Sequence, residues 1–295
     1  MAVACISATD LTVAFDPKPP VFQALDVHLS AEPVALIGPN GAGKTTALKA
    51  ILGLSRYQGE LSVLGMNPAR QRDELMREVC FIADVAVLPR WARVQQIIEL
   101  TERLHPKFSR QRCLHYLSAT KIKPAARIKT LSKGMVVQLH LALVMAIEAK
   151  LLVLDEPTLG LDILFRKRFY SNLLNDYFDE NRSILVTTHH VEEIEHILTD
   201  LIFIKDGRLV LNSSMDDVQE RYAELMAKPD QVEAARALGP IHERALFGRH
   251  IFLYDQAPLD RLETLGELHQ PSVADLFVAL MGESDSADQN LGHAA

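Results

Sequence analysis

Five apolar residues, Pro33-Val34-Ala35-Leu36-Ile37, run directly into Gly38-Pro39-Asn40-Gly41-Ala42-Gly43-Lys44-Thr45, and residues 44–52 then read as a helix. A buried strand, a glycine-rich turn and a helix in immediate succession leave few folds open. The strand belongs in a sheet covered by helices, with the turn at its carboxyl end. The eight residues after the strand satisfy GxxxxGK[ST]. Glycines let the backbone close around phosphate oxygens, successive N–H groups point inward, and the helix adds its positive end. Lys44 brings a point charge for β- and γ-phosphates, and Thr45 brings a hydroxyl for Mg²⁺. Gly38, Pro39, Asn40, Gly41, Ala42, Gly43, Lys44, Thr45 and Thr46 form the candidate nucleotide-binding run. The alternative is a plain glycine turn with Lys44 in solvent. The strand before it and the helix after it weigh against that.

A second chemical signal lies downstream. Leu151-Leu152-Val153-Leu154-Asp155-Glu156 is a short apolar run ending in two carboxylates. In parallel sheets the carboxyl ends of strands line the ligand crevice. Asp155 can join a Mg²⁺ shell, and Glu156, pointing elsewhere, can take a proton from water attacking a γ-phosphate. A strand that merely ends in surface acids has the same pattern, so the pair gains its meaning from the phosphate loop upstream.

Composition narrows the setting. Hydrophobic residues at 48% and charged residues at 23% exclude a mainly disordered chain. A net charge of −7 argues against a basic nucleic-acid binder. The longest central apolar run, residues 141–147, falls far short of the roughly 20 residues a spanning helix needs. MAVACISATD lacks a basic region followed by an apolar one, so no secretory leader is expected. Cys5, Cys80 and Cys113 suit neither a disulfide framework nor a zinc site, which favours a reducing compartment. Residues 103–133 carry nine Lys/Arg and no acid. They form either a solvated basic face or one turned toward anionic lipid or an acidic partner.

Periodicity predicts strands at 3–15, 21–29, 61–64, 79–83, 151–154 and 184–186, and a helical, basic segment over 91–127. A hairpin is expected at 201–211 around Asp206-Gly207. After about 214 the texture changes. Polar helices are expected at 216–227 and 230–238, a strand at 245–254, a last helix opened by Ser272 with Asp275, and a disordered tail at 282–295.

Leu131-Ser132-Lys133-Gly134-Met135 stands 23 residues before Asp155 and opens a helix expected to reach about residue 149. Here the chain resembles the ATP-binding cassette (ABC) ATPases, whose signature LSGGQ holds this place. The resemblance covers roughly residues 3–214. It implies an α/β fold: a P-loop NTPase with a mixed-sheet ATP-binding core and a helical subdomain inserted over about 85–135; the change of texture after 214 adds a small α+β appendage over 215–281. A Ser and a Gly at a helix start form an anion site from hydroxyl, N–H and dipole. In the family that site meets the γ-phosphate held by the opposite subunit. Ser132 and Gly134 keep it, while Lys133 and Met135 depart from the pattern. A simple Ser cap is the other reading.

Further positions match the family by order and spacing. Phe15 either stacks on adenine or packs in an early strand. Asp162, in Gly160-Leu161-Asp162, is expected across a dimer seam. His189, after Thr187-Thr188, matches the γ-phosphate-contacting histidine, with His190 as the alternative. Asp84 stands where the family has Gln or Glu, and either touches Mg²⁺ or its water or is an ordinary loop acid. The resemblance implies ATP and Mg²⁺ as cofactors, with Glu156, His189 and Lys44 catalytic. It further implies a second ATPase subunit, a separate polytopic membrane permease, and a place at the cytoplasmic face of the cell membrane. Residues 271–277 look like the end of ATPase subunits from ABC-2-type exporters. Two rival readings remain: a non-transport ABC ATPase acting on ribosome or DNA, and a weakly hydrolysing regulatory module. No nucleic-acid partner is expected on the first reading.

Overall fold

Alternating and continuous apolar strands separate into different sheets in the computed structural model, which describes residues 5–14, 21–29, 33–83, 88–179, 182–188 and 191–282. Phe15, Asp84, His189, His190 and residues 283–295 of the expected tail lie outside the described residues.

The alternating strands β1 (Ile6–Val13), β2 (Phe22–Leu29) and β4 (Gln58–Val63) form an antiparallel sheet in the order β2-β1-β4. The continuous apolar strands β3 (Pro33–Ile37), β6 (Leu151–Asp155) and β7 (Ser183–Thr187) are buried at every position. With β5 (Val79–Ile82), β8 (Asp200–Lys205) and β9 (Arg208–Ser214) they build a six-stranded sheet in the order β5-β6-β7-β3-β8-β9. Strands β5 through β8 in that order pair in parallel. The turn Asp206-Gly207, positive in φ at both residues, returns the chain from β8 to β9. Helix α1 (Lys44–Ile51) and both sheets share one core that includes the fully buried Val13, Phe22, Leu48 and Val63. A short turn, α2 (Arg72–Leu75), precedes β5.

Helices α3 (Val94–Leu104), α4 (Arg110–Ser118) and α5 (Lys133–Met145) enclose a second core. Val94, Ile97 and Ile98 face it from α3, the i, i+3, i+4 stripe of an amphipathic helix. Helix α5 stops four residues before the expected end. Just past Met145, Ala146 O accepts from Ser109 N–H at 2.8 Å. In the basic stretch Lys107 pairs with Glu78, Arg110 with Glu102 and Arg112 with Glu148. Helix α6 (Ile163–Asn172) runs on into a wider turn closed by Phe178 N–H on Leu173 O. No helix among the described residues is long and apolar enough to cross a membrane.

Contacts divide the chain between Asn212 and Ser213. The second unit holds an antiparallel sheet of β10 (Tyr222–Ala227), β11 (His242–Leu246), β12 (Arg249–Asp255) and β13 (Gly266–His269) in the order β11-β12-β10-β13, with helices around it. Here the sequence reading needs correction. The expected helix 216–227 ends early: α7 (Met215–Arg221) gives way to β10 (Tyr222–Ala227). Tyr222, Ala223, Leu225 and Ala227 are buried, and β10 pairs on both edges, so sheet packing overrides helix propensity. Helix α8 (Val232–Arg236) follows. The single strand expected at 245–254 is a hairpin of β11 (His242–Leu246) and β12 (Arg249–Asp255), turning at Phe247-Gly248 with φ of 49° and 78°. Helix α9 (Leu259–Leu265) and strand β13 (Gly266–His269) were not foreseen. Ser272 caps α10 (Val273–Met281) by accepting from Asp275 N–H at 3.0 Å. The Asp275 carboxylate, one carbon shorter than Glu, meets the Ser272 hydroxyl at 2.7 Å.

Candidate functional site

Neighbouring strands β6, β7 and β3 bring their carboxyl ends together, and the phosphate loop leaves the last of them. Gly43 has φ of 104°, and a Cβ there would lie 2.6 Å from the Phe22 ring, so both backbone and packing require glycine. At Gly38 a Cβ would meet Ile204 O at 2.4 Å. Gly43 leads directly into α1, whose first-turn N–H groups open toward the loop. Lys44 is buried, and its Nζ donates to Gly38 O at 2.5 Å and Pro39 O at 3.2 Å. Burial pushes its ammonium below the usual lysine range, while Glu156 and Asp155 pull it back up.

Asp155, at the end of β6, sits opposite Thr187 in register. Its Oδ1 accepts from the Thr187 hydroxyl at 2.5 Å and its Oδ2 from the Thr45 hydroxyl at 3.2 Å. The buried carboxylate is thereby fixed in direction and faces the start of α1. Glu156, the next residue, acts on Lys44 together with Asp155. Its backbone adopts φ of 47°, rare for a non-glycine residue, and its N–H bonds to Thr187 O at 3.0 Å. Strain of this kind persists where surrounding bonds hold it.

Ser132 and Lys133 are exposed at the start of α5. The Ser132 hydroxyl accepts from Met135 N–H at 3.2 Å, so the serine does act as a helix cap. A Cβ on Gly134 would stand 3.6 Å from Gly160 O, which puts the helix start against the 160–162 loop of the same copy. Asp162 caps α6, its carboxylate accepting from Phe165 N–H at 2.9 Å. The structure thus unites Lys44, Thr45, Asp155 and Glu156 in one cluster, and Ser132, Gly134 and Asp162 lie on loops beside α5 and α6.

Residues 24–159 match the family described as ABC transporter. Over 96% of its length the chain is 30% identical to a Nod factor export ATP-binding protein I of Burkholderia pseudomallei (strain 1710b), and the match spans 98% of that protein. The chain belongs to the ABC transporter ATPases. Another relative of this ABC ATPase is the SkfA peptide export ATP-binding protein SkfE of Bacillus subtilis (strain 168), 32% identical over 66% of this chain and 84% of that one. A solved structure described as the ATP-binding subunit of an ABC transporter aligns with a TM-score of 0.66 at 25% identity, over 73% of this chain and 92% of its own.

The oxygens in this ABC ATPase fit Mg²⁺. Adjacent ligands on an octahedral ion with bonds of about 2.1 Å stand about 3 Å apart. The Thr45 hydroxyl and Asp155 carboxylate are separated by 3.2 Å. No cluster of three or more His, Cys, Asp or Glu that could hold a metal occurs among the described residues. Two protein oxygens, the rest left to phosphates and water, is how Mg²⁺ is usually bound at nucleotides.

Residues that sequence reasoning passed over also lie beside the candidate site. His140 lines a small cavity with Glu156, and its buried Nδ1 has no partner among the described residues. Burial holds that imidazole below its ordinary pKa. A lone histidine inside the apolar run of α5 was the only available signal. Arg166, on α6, bonds both to Leu161 O and to Glu193, contacts with no local sequence signature.

Proposed function

We propose that this ABC ATPase powers export through a separate membrane subunit, and that two copies close face to face around ATP. The reading rests on one observation: Lys44, Thr45, Asp155 and Glu156 converge at the carboxyl ends of adjacent strands, held by Thr187. Thr45 and Asp155 would hold Mg²⁺, with Asp84 beside it or its water, and the ion would neutralise charge on the β- and γ-phosphates. Lys44 and the loop N–H groups bind the same phosphates, and Phe15 stacks on adenine. Glu156 orients the attacking water and accepts its proton. His189 and Lys44 stabilise charge developing on the transferred group. Exposed Ser132 and half-buried Gly134 at the α5 start, with Asp162, complete the pocket of the opposite copy. The exposed apolar side chains of Ile163 and Leu164 next to Asp162 suit a surface that is covered on closure. Relatives named for Nod factor export and SkfA peptide export support the direction of transport. On this reading the protein sits at the cytoplasmic face of the membrane, held by its partner.

Turnover of ATP by purified protein tests the assignment. Lys44→Ala should abolish it, and Glu156→Gln should lower it by about 10²–10⁴-fold, the usual loss on removing a positioned base. Wild-type turnover in Glu156→Gln would remove Glu156 from the role of base.

A further inference from the structure

Arg166 lies one turn into α6, its side chain only 17% exposed. Its Nε donates to Leu161 O at 2.8 Å, and its Nη1 donates to Glu193 Oε1 at 2.7 Å. Glu193 closes the helical turn Val191–Glu193, the first described residues after the histidine pair 189–190. Its second oxygen, Oε2, is buried with no partner among the described residues. Among the described residues Arg166 is the ion-pair partner of this carboxylate, and it also grips the 160–162 loop. One turn further along α6, the buried Tyr170 hydroxyl lies 3.3 Å from the Thr158 hydroxyl, two residues past Glu156. The negative charges of Glu193 and Glu156 both act on Tyr170, so the two carboxylates border the same packed region.

A half-buried ion pair of this kind is a poor source of net stability, because desolvation offsets the attraction. What a guanidinium does supply is a rigid fork: donors on Nε and Nη keep a fixed relation, so two acceptors bound to it move together. We propose that Arg166 and Glu193 are positioning residues for ATP hydrolysis, coupling the 191–193 segment to the Leu161–Asp162 loop. The coupling rests on the reading of Asp162 as part of the pocket of the opposite copy and of His189 as a phosphate contact. Movement at the nucleotide is then passed within one copy to the loop that faces the other.

The test uses the full-length protein. Hydrogen–deuterium exchange without nucleotide is measured in wild type, Arg166→Gln and Glu193→Gln. Glu193→Gln is expected to speed exchange across 158–165, and Arg166→Gln across 191–198. In steady-state assays each substitution should lower kcat about 3- to 30-fold, with KM for ATP nearly unchanged, and the double variant should be no worse than the more severe single. If Arg166→Gln fails to fold, Arg166→Lys keeps the charge and should still lower kcat, since an ammonium lacks the fork. Exchange changes confined to each variant's own segment, additive losses in the double variant, or a rise in KM alone would overturn the coupling. Lys44→Ala and Glu156→Gln, assayed in parallel, test the underlying site. Wild-type turnover in those two would discredit the site, while the nucleotide-free exchange still decides whether the two loops are coupled.

Discussion

Thr45 and Asp155 stand 110 residues apart in sequence, yet the threonine hydroxyl donates to the carboxylate at 3.2 Å. The Thr187 hydroxyl holds the other carboxylate oxygen at 2.5 Å, so Asp155 cannot turn away from the phosphate loop without losing that bond. Asp155→Asn keeps the shape and removes the charge that suits Mg²⁺. Turnover is expected to fall by about 10²–10³-fold, the scale of losing one electrostatic stabiliser, and the Mg²⁺ concentration for half-maximal rate should rise. A titration of rate against Mg²⁺ checks both. An unchanged titration curve would place the ion elsewhere.

The loop glycines should differ in how they respond to substitution. Gly41→Ala meets open space and suffers only from its φ of 86°. Gly43→Ala combines φ of 104° with a Cβ 2.6 Å from the Phe22 ring. Gly43→Ala is expected to destabilise by about 2–4 kcal/mol, against about 1 kcal/mol for Gly41→Ala. Urea unfolding of the two variants measures the difference, and equal midpoints would contradict it.

Acid sensitivity of the second unit should centre on Glu243. The Arg236 guanidinium bonds this carboxylate, His250 adds a contact at 2.8 Å, and together they hold its pKa at about 2 against the opposing effect of burial. The folded value lies below the unfolded one of about 4.3, so the folded state binds fewer protons between the two. The stabilisation is complete above that unfolded value and fades as pH falls toward 2. Glu243→Gln should melt below wild type at pH 7, and the gap should narrow steadily below about pH 4.3. A gap that widens in acid would reverse the sign.

How much of this was legible depended on how local the signal was. Strands β3 and β6 were readable because a strand buried on both faces is a continuous apolar run, and the loop after β3 because its spacing of glycines, lysine and threonine is local in sequence. Strand β10 was not: Tyr222-Ala223-Glu224-Leu225-Met226-Ala227 has good helix formers following a helix, and only pairing with β12 and β13 makes it a strand. Asp155 and Glu156 could be named from sequence, but the Thr187 bonds that hold them could not. Arg166 and Glu193 are 27 residues apart and belong to no pattern, so only the folded chain joins them.

On the function proposed here, two copies share each hydrolytic pocket. Light scattering of Glu156→Gln with saturating ATP and Mg²⁺ tests it most directly. A species of twice the 32.9 kDa chain mass is expected, which Ser132→Arg in the same background returns to the single-chain mass. A nucleotide-loaded protein that stays at 32.9 kDa, or a dimer indifferent to Ser132→Arg, would contradict it.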